Sequence, residues 1–96
     1  MNKYQVTVHF KMDEAFSRLL PAHRSLISKL IEKNIIEYYS VSIESMRVWM
    51  IVNAENKEEV KNHLAKSPLY KFWEIEIDEL FVYDGQKYRL PALQLN

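Results

Sequence analysis

An α+β fold in the order strand, helix, strand, strand, helix, strand is what this sequence predicts. Three stretches carry that expectation. Residues 4–11 alternate apolar and polar, residues 20–31 repeat apolar side chains at helical spacing, and residues 67–80 join a helix end, a proline and a strand with one apolar and one acidic face. Alternation marks a strand with one buried face, and recurrence every three to four residues marks an amphipathic helix. With 96 residues the chain makes one domain. A domain this small buries roughly 60–65% of its unfolded surface, so it is modestly stable alone.

The first strand puts Tyr4, Val6, Val8 and Phe10 on one side and Gln5, Thr7, His9 and Lys11 on the other. Residues 12–20 read as a lead-in with room for a helical turn. Pro21 suits the first position of a helix, where a missing N–H costs nothing. Leu20, His23, Leu26, Ile27, Leu30 and Ile31 form the stripe of that helix, and Asn34 is a left-handed stop. Residues 35–44 make a second strand, in which Tyr39, Val41 and Ile43 alternate with Tyr38, Ser40, Ser42 and Glu44. After a turn near Glu44 and Ser45, residues 46–53 make a third strand with Val48, Met50 and Val52 on one face and Arg47, Trp49 and Ile51 on the other. Its largely apolar character on both sides marks a central, doubly covered strand. Asn56 followed by Glu59 has the spacing of a capping box for a second helix that runs to about Lys66 and stops at Pro68. Residues 72–82 form the fourth strand, with Trp73, Ile75 and Ile77 opposite Glu74, Glu76 and Asp78. Asp84 and Gly85 then read as a turn. Residues 86–96, with Tyr88, Leu90, Leu93 and Leu95, are too apolar for a free tail and are expected to pack on their own domain or on a partner.

Right-handed crossovers fold this order into a ferredoxin-like βαββαβ domain: a four-stranded antiparallel sheet, order 4-1-3-2, with two helices on one face. Val6, Val8, Val48, Met50, Val52, Ile75 and Ile77 face the helices. Thr7, His9, Trp49, Ile51, Glu74 and Glu76 face away. A sheet face holding Trp49 and Ile51 suits another sheet or a ligand better than bulk water.

Ser67-Pro68-Leu69-Tyr70-Lys71-Phe72-Trp73-Glu74-Ile75-Glu76-Ile77 resembles the Leu-Pro-Leu-Phe-Pro-Tyr-Met-Asp-Ile-Glu-Val segment that precedes the last strand in the muconolactone isomerase family. A weaker likeness reaches back to about Pro21. The resemblance implies a ferredoxin-like subunit that pairs sheet to sheet into a dimeric α+β barrel, a homodimer that in some members assembles into a ring of dimers. The chain departs from the family where the isomerases carry acidic residues followed by Lys in the first helix, since it has Ala22-His23-Arg24 there. It departs again at their Trp-Arg pair and following Gly, where it has Ser40-Val41-Ser42-Ile43-Glu44. The architecture is therefore expected and the isomerase reaction itself is not.

Among side chains able to do chemistry, His9 stands out: it lies on a central strand, on the face away from the helices, with Glu74 and Glu76 beside it. A carboxylate next to an imidazole orients it for proton transfer on a small acid or lactone, with His9 as the expected acid/base and Glu74 as its orienter. The alternative is a seam histidine hydrogen-bonded across a dimer. His23 on the helix stripe is either a satisfied core residue or, with Arg24 near a helix N-terminus, a carboxylate ligand. His63 reads as structural or exposed. Thr7, Tyr38, Trp49 and Phe72 either line an apolar pocket or pack a dimer interface. The expected function is binding of a small carboxylated or apolar compound between the sheets, with a cofactor-free isomerase- or lyase-type proton transfer as its catalytic form. The alternative is a non-catalytic binding or structural dimer.

Composition bounds the rest. Thirteen basic and thirteen acidic residues cancel, so no cationic excess favours nucleic acid. The basic-Gly-aromatic signature of an RNA-binding third strand is also missing. There is no cysteine for a disulfide, a thiolate or a Cys-based metal site, and three scattered histidines lack metal-ligand spacing. No cofactor or metal is expected. No apolar run reaches membrane-spanning length and the first residues alternate as a strand rather than forming a signal core, so a cytoplasmic protein is expected.

Overall fold

A computed structural model describes residues 1–85. The expected tail, 86–96, lies outside the described residues. The elements are β1 (Asn2–His9), α1 (Glu14–Glu32), β2 (Ile36–Ser42), β3 (Arg47–Ala54), α2 (Lys57–Leu64), a 3-10 turn (Tyr70–Phe72) and β4 (Glu74–Glu79). The sheet order is β2-β3-β1-β4, which is the expected order seen from the other edge, and all three pairings are antiparallel.

The first helix corrects the sequence reading. It starts at Glu14, not at Pro21, and the expected lead-in is its first two turns. Asp13 is the N-cap, its Oδ1 accepting the Phe16 N–H at 2.8 Å. Pro21 therefore sits inside the helix on the exposed side, where the Ser17 carbonyl has no N–H to receive. An interior proline costs a helix about 3 kcal/mol. The extra turns persist because Phe16 anchors them. Its ring stacks on Phe10 at 5.2 Å and meets the edge of Phe72 at 5.9 Å. At the other end the anticipated Asn34 stop is present, at φ 62°, with Ile35 N–H bonded to Leu30 O at 2.9 Å and Asn34 N–H to Ile31 O at 3.0 Å. These two bonds form a Schellman motif.

The second helix is shorter than its pattern suggested, ending at Leu64. Asn56 Oδ1 accepts the Glu59 N–H at 2.8 Å, and Glu59 Oε1 reaches back to the Glu55 N–H at 3.3 Å. The capping box thus closes one residue early on its return arm. The fourth strand is also shorter than expected, because Phe72 belongs to the 3-10 turn.

Strand β2 carries a bulge. Ile36 pairs with Val52 but Tyr38 pairs with Ile51, so Glu37 is an extra residue. An extra residue reverses the phase of every side chain beyond it. Ile36 faces the helices beside Val52, and after the bulge Tyr39 and Val41 face them too, opposite Met50 and Val48. Glu37 joins the open face, where its carboxylate meets the ammonium of Lys3. That ammonium also donates to Asn53 Oδ1 at 3.0 Å.

The core lies between the sheet and the helices, where Val6, Val8, Met50, Val52 and Val60 are fully buried. Ile51 is the surprise. It lies on the face away from the helices, yet it is only 1% exposed within the single chain. The sequence predicts that another sheet or a ligand covers this residue, and the single chain already does so.

The observed helix start sets opposite outcomes for two substitutions. Pro21→Ala is expected to stabilise the protein by about 1–2 kcal/mol by restoring an interior hydrogen bond, less the gain in unfolded-chain entropy. Asp13→Ala is expected to cost about 1 kcal/mol. Urea midpoints of the two variants check both. A helix starting at Pro21 would leave Asp13→Ala silent.

Candidate ligand pocket on the helix side of the sheet

A cavity of about 230 Å3 opens between the first half of α1, the far end of the β2–β3 hairpin and the segment around the 3-10 turn. Helix α1 contributes Phe16, Leu20, His23 and Arg24, a spacing that puts all four on one stripe. The sheet contributes Tyr39, Val41 and Val48, and Leu69 and Trp73 close the side. Apolar side chains dominate the walls, with His23, Arg24 and Tyr39 as the polar groups among the described residues. Apolar walls with few placed polar groups are the usual make-up of a small-molecule site. Around the mouth Met12, Val41 and Ile43 remain exposed.

His23 is the centre of this region. It is 1% exposed, and both ring nitrogens are occupied: Nδ1 lies 2.8 Å from Ser67 Oγ and Nε2 lies 2.8 Å from Tyr39 Oη. The edge contact with Trp73 at 5.4 Å fixes the ring plane. Ser67 is itself buried and accepts the Leu69 N–H at 3.0 Å, which sets its hydroxyl at the turn after α2. Burial, reinforced by the neighbouring Arg24 guanidinium, pushes the His23 pKa down from 6.5 to about 4. Burial pushes Tyr39 up from 10.0 to about 12, with Arg24 opposing the rise. At neutral pH the pair is an uncharged imidazole and an uncharged phenol.

The residues singled out in the sequence fall in two places. On the open face, the sheet register aligns Glu74, His9 and Arg47 in one row and Glu76, Thr7, Trp49 and Ser40 in the next. Tyr38 follows beside Ile51 and is 44% exposed. The carboxylate near His9 is that of Glu76, with Oε1 3.6 Å from Nε2, while Glu74 is the register partner. The His9 ring is half exposed and, with Phe72 and Glu74, lines a more open and more polar pocket of about 350 Å3 that Phe10, Lys11 and Asp13 complete. Phe72 belongs to the Phe10–Phe16 cluster rather than to the row of Thr7 and Trp49. His23 is on the other side of the sheet from His9, in the middle of α1, so Arg24 and His23 form no helix N-terminal anion site. His63 lies 3.9 Å from Glu59 on α2, a surface pair. Among the described residues no cluster of His, Asp or Glu is placed to hold a metal, and no helix is long and apolar enough to cross a membrane.

Sequence reading missed Tyr39, Ser67 and Leu20 as a site. The stripe from Leu20 through His23 was legible, but Phe16 lies in the expected lead-in and the bulge at Glu37 was not legible, and the bulge is what sets Tyr39 on the same side as Ile36.

No protein-family model matches the chain, and no curated protein matches it. Among solved structures, that of muconolactone isomerase at 3.3 Å resolution superposes with a TM-score of 0.70 over 91% of this chain and 96% of the other, at 16% sequence identity. The chain shares that fold. Identity this low says nothing of the reaction.

The depressed pKa of His23 makes a signed prediction. An unfolded histidine takes a proton below pH 6.5, and the folded one resists until about 4. Its contribution to stability is therefore full above pH 6.5 and is lost as the pH falls toward 4. Denaturant titrations over this window are expected to register close to one proton taken up per molecule unfolded in excess of that seen for His23→Gln. An identical pH dependence in the two proteins would show that the folded imidazole titrates normally.

Proposed function

We propose that this protein binds a small, predominantly apolar molecule in the cavity beside His23 and does not transform it by acid–base chemistry. The cavity carries the reading. An apolar cavity of about 150 Å3 is enough to hold benzene, so one of about 230 Å3 admits a substituted single ring. The pocket side chains argue against proton transfer. Both nitrogens of His23 are engaged, Tyr39 titrates near 12, and Arg24 is always protonated. A general base works best with a pKa near the operating pH. The shared fold with muconolactone isomerase is in keeping with a small lactone or acid as occupant, and Arg24 at the wall suits a carboxylate.

The second part of the reading is a homodimer formed through the open face of the sheet, where no helix of the described residues packs and where Trp49 and Tyr38 remain partly exposed. A dimer that encloses this face would also bring His9 and Glu76 into a covered space, which is the one setting in which the catalytic alternative keeps a candidate acid–base group.

The pocket reading is checked by mass spectrometry of small molecules retained by the purified protein, beside the Leu20→Trp variant. The indole fills the cavity at an overpacking cost of about 1–3 kcal/mol, so the fold is expected to persist and retention to be lost. Equal retention by both proteins would place the ligand elsewhere.

The dimer is checked by sedimentation at micromolar concentration. The parent protein is expected to sediment as a dimer and Trp49→Arg as a folded monomer, because an unpaired charge in a desolvated interface is strongly unfavourable. A monomeric parent protein overturns this part.

A further inference from the structure

The buried hydroxyl of Ser67 decides where three protons go. Its oxygen already accepts the Leu69 N–H, and among the described residues the acceptor within reach of its own proton is His23 Nδ1, at 2.8 Å. If Nδ1 carried the ring proton, the Ser67 proton would be buried without an acceptor. A buried donor left without an acceptor is strongly disfavoured. Ser67 therefore donates to Nδ1, and the neutral ring carries its proton on Nε2. That N–H donates to Tyr39 Oη at 2.8 Å. The Tyr39 oxygen is then an acceptor toward His23, and its own O–H is left with no acceptor among the described residues while the side chain lines the cavity.

We propose that the chain Ser67 to His23 to Tyr39 aims the Tyr39 O–H into the cavity, so that the site selects ligands carrying a carbonyl or carboxylate oxygen at that position. This rests on the pocket reading above and names the chemistry that the pocket prefers. The selectivity arises from direction. A lone tyrosine hydroxyl rotates and donates or accepts at will, whereas one that already accepts from a fixed N–H presents a donor. Successive hydrogen bonds of the same sense also polarise one another, which strengthens the terminal donor. Ser67 and His23 are positioning residues here, and Tyr39 is the group that touches the ligand.

Two measurements test it. The first uses the unaltered protein: a long-range proton–nitrogen correlation spectrum of the His23 ring is expected to show the proton on Nε2. A proton on Nδ1 overturns the proposal. The second uses acetophenone and ethylbenzene, two probes of nearly equal shape that differ by one carbonyl oxygen. Binding is followed through the methyl resonances of Leu20, Val48 and Leu69. The parent protein is expected to favour acetophenone. Tyr39→Phe is expected to weaken acetophenone roughly tenfold, the scale of one net hydrogen bond, and to leave ethylbenzene unchanged. Ser67→Ala is expected to act in the same sense, because no donor then holds the Nδ1 lone pair, the ring proton is no longer confined to Nε2, and the Tyr39 O–H is no longer held pointing into the cavity. Ethylbenzene binding with unchanged acetophenone affinity in either variant overturns the hydrogen-bond chain and leaves the pocket standing. Failure of both probes to move those methyls removes the pocket and the proposal together.

Discussion

The imidazole of His23 ties together three parts of the chain that are far apart in sequence. It is carried by α1, it is bonded to Tyr39 on β2, and it is bonded to Ser67 in the turn after α2. A buried polar group is tolerable only when its hydrogen bonds are made, and an unsatisfied one costs as much as a well-made bond contributes, or more. The geometry of all three elements is therefore coupled. If α1 slides along its axis, or the hairpin moves off the sheet, one ring nitrogen loses its partner. An apolar side chain in this position would tolerate such sliding, since close packing is satisfied by many small adjustments. The polar pair fixes one arrangement, and with it the walls of the cavity.

The other fixed point is the bulge at Glu37. Strand alternation makes the side of every residue depend on the phase of the strand, and an extra residue reverses that phase. Ile36 must face the core because it packs beside Val52, and Tyr39 must face the same way to reach His23. Two residues separated by three positions cannot share a face of a regular strand. The bulge reconciles them, and the Glu37 carboxylate it displaces is met by Lys3 on the open side. The position of the tyrosine hydroxyl thus follows from a backbone irregularity next to a site, a common place for bulges.

The architecture was legible because each strand and helix repeats one simple period. Val6 and Val8 needed only alternation, and Asn56 with Glu59 needed only a known spacing. The start of α1 was not legible, because Pro21 is a stronger local signal than Asp13. What decided the matter was a tertiary contact, the stacking of Phe16 on Phe10, which no local rule contains. Ile51 reads as a covered residue on the face away from the helices, and it is covered; alternation gives the side a residue faces and not that the single chain itself covers it. His9 and His23 were both noticed, but their separation by the sheet changed their standing. His9 is half in water, beside one carboxylate. His23 is enclosed, neutral and held at both nitrogens.

The two faces of the sheet offer different chemistry for reasons of dielectric. On the helix side, burial favours neutral species, so the imidazole and the phenol stay uncharged across the ordinary pH range and act as fixed dipoles. Fixed dipoles in a water-poor cavity recognise a ligand oxygen strongly, because little competing solvent is present and little reorganisation is needed. They are poor at exchanging protons, since both pKa values have moved away from neutrality in opposite directions. Under the proposed pocket reading, the same burial that removes acid–base reactivity favours selectivity for an acceptor oxygen. On the open face the reverse holds while it remains wet: His9 keeps access to solvent, but Glu76 at 3.6 Å competes with water for it. The proposed recognition is accordingly placed on the helix side of this sheet, and any acid–base reactivity of the open face depends on a second layer to exclude water.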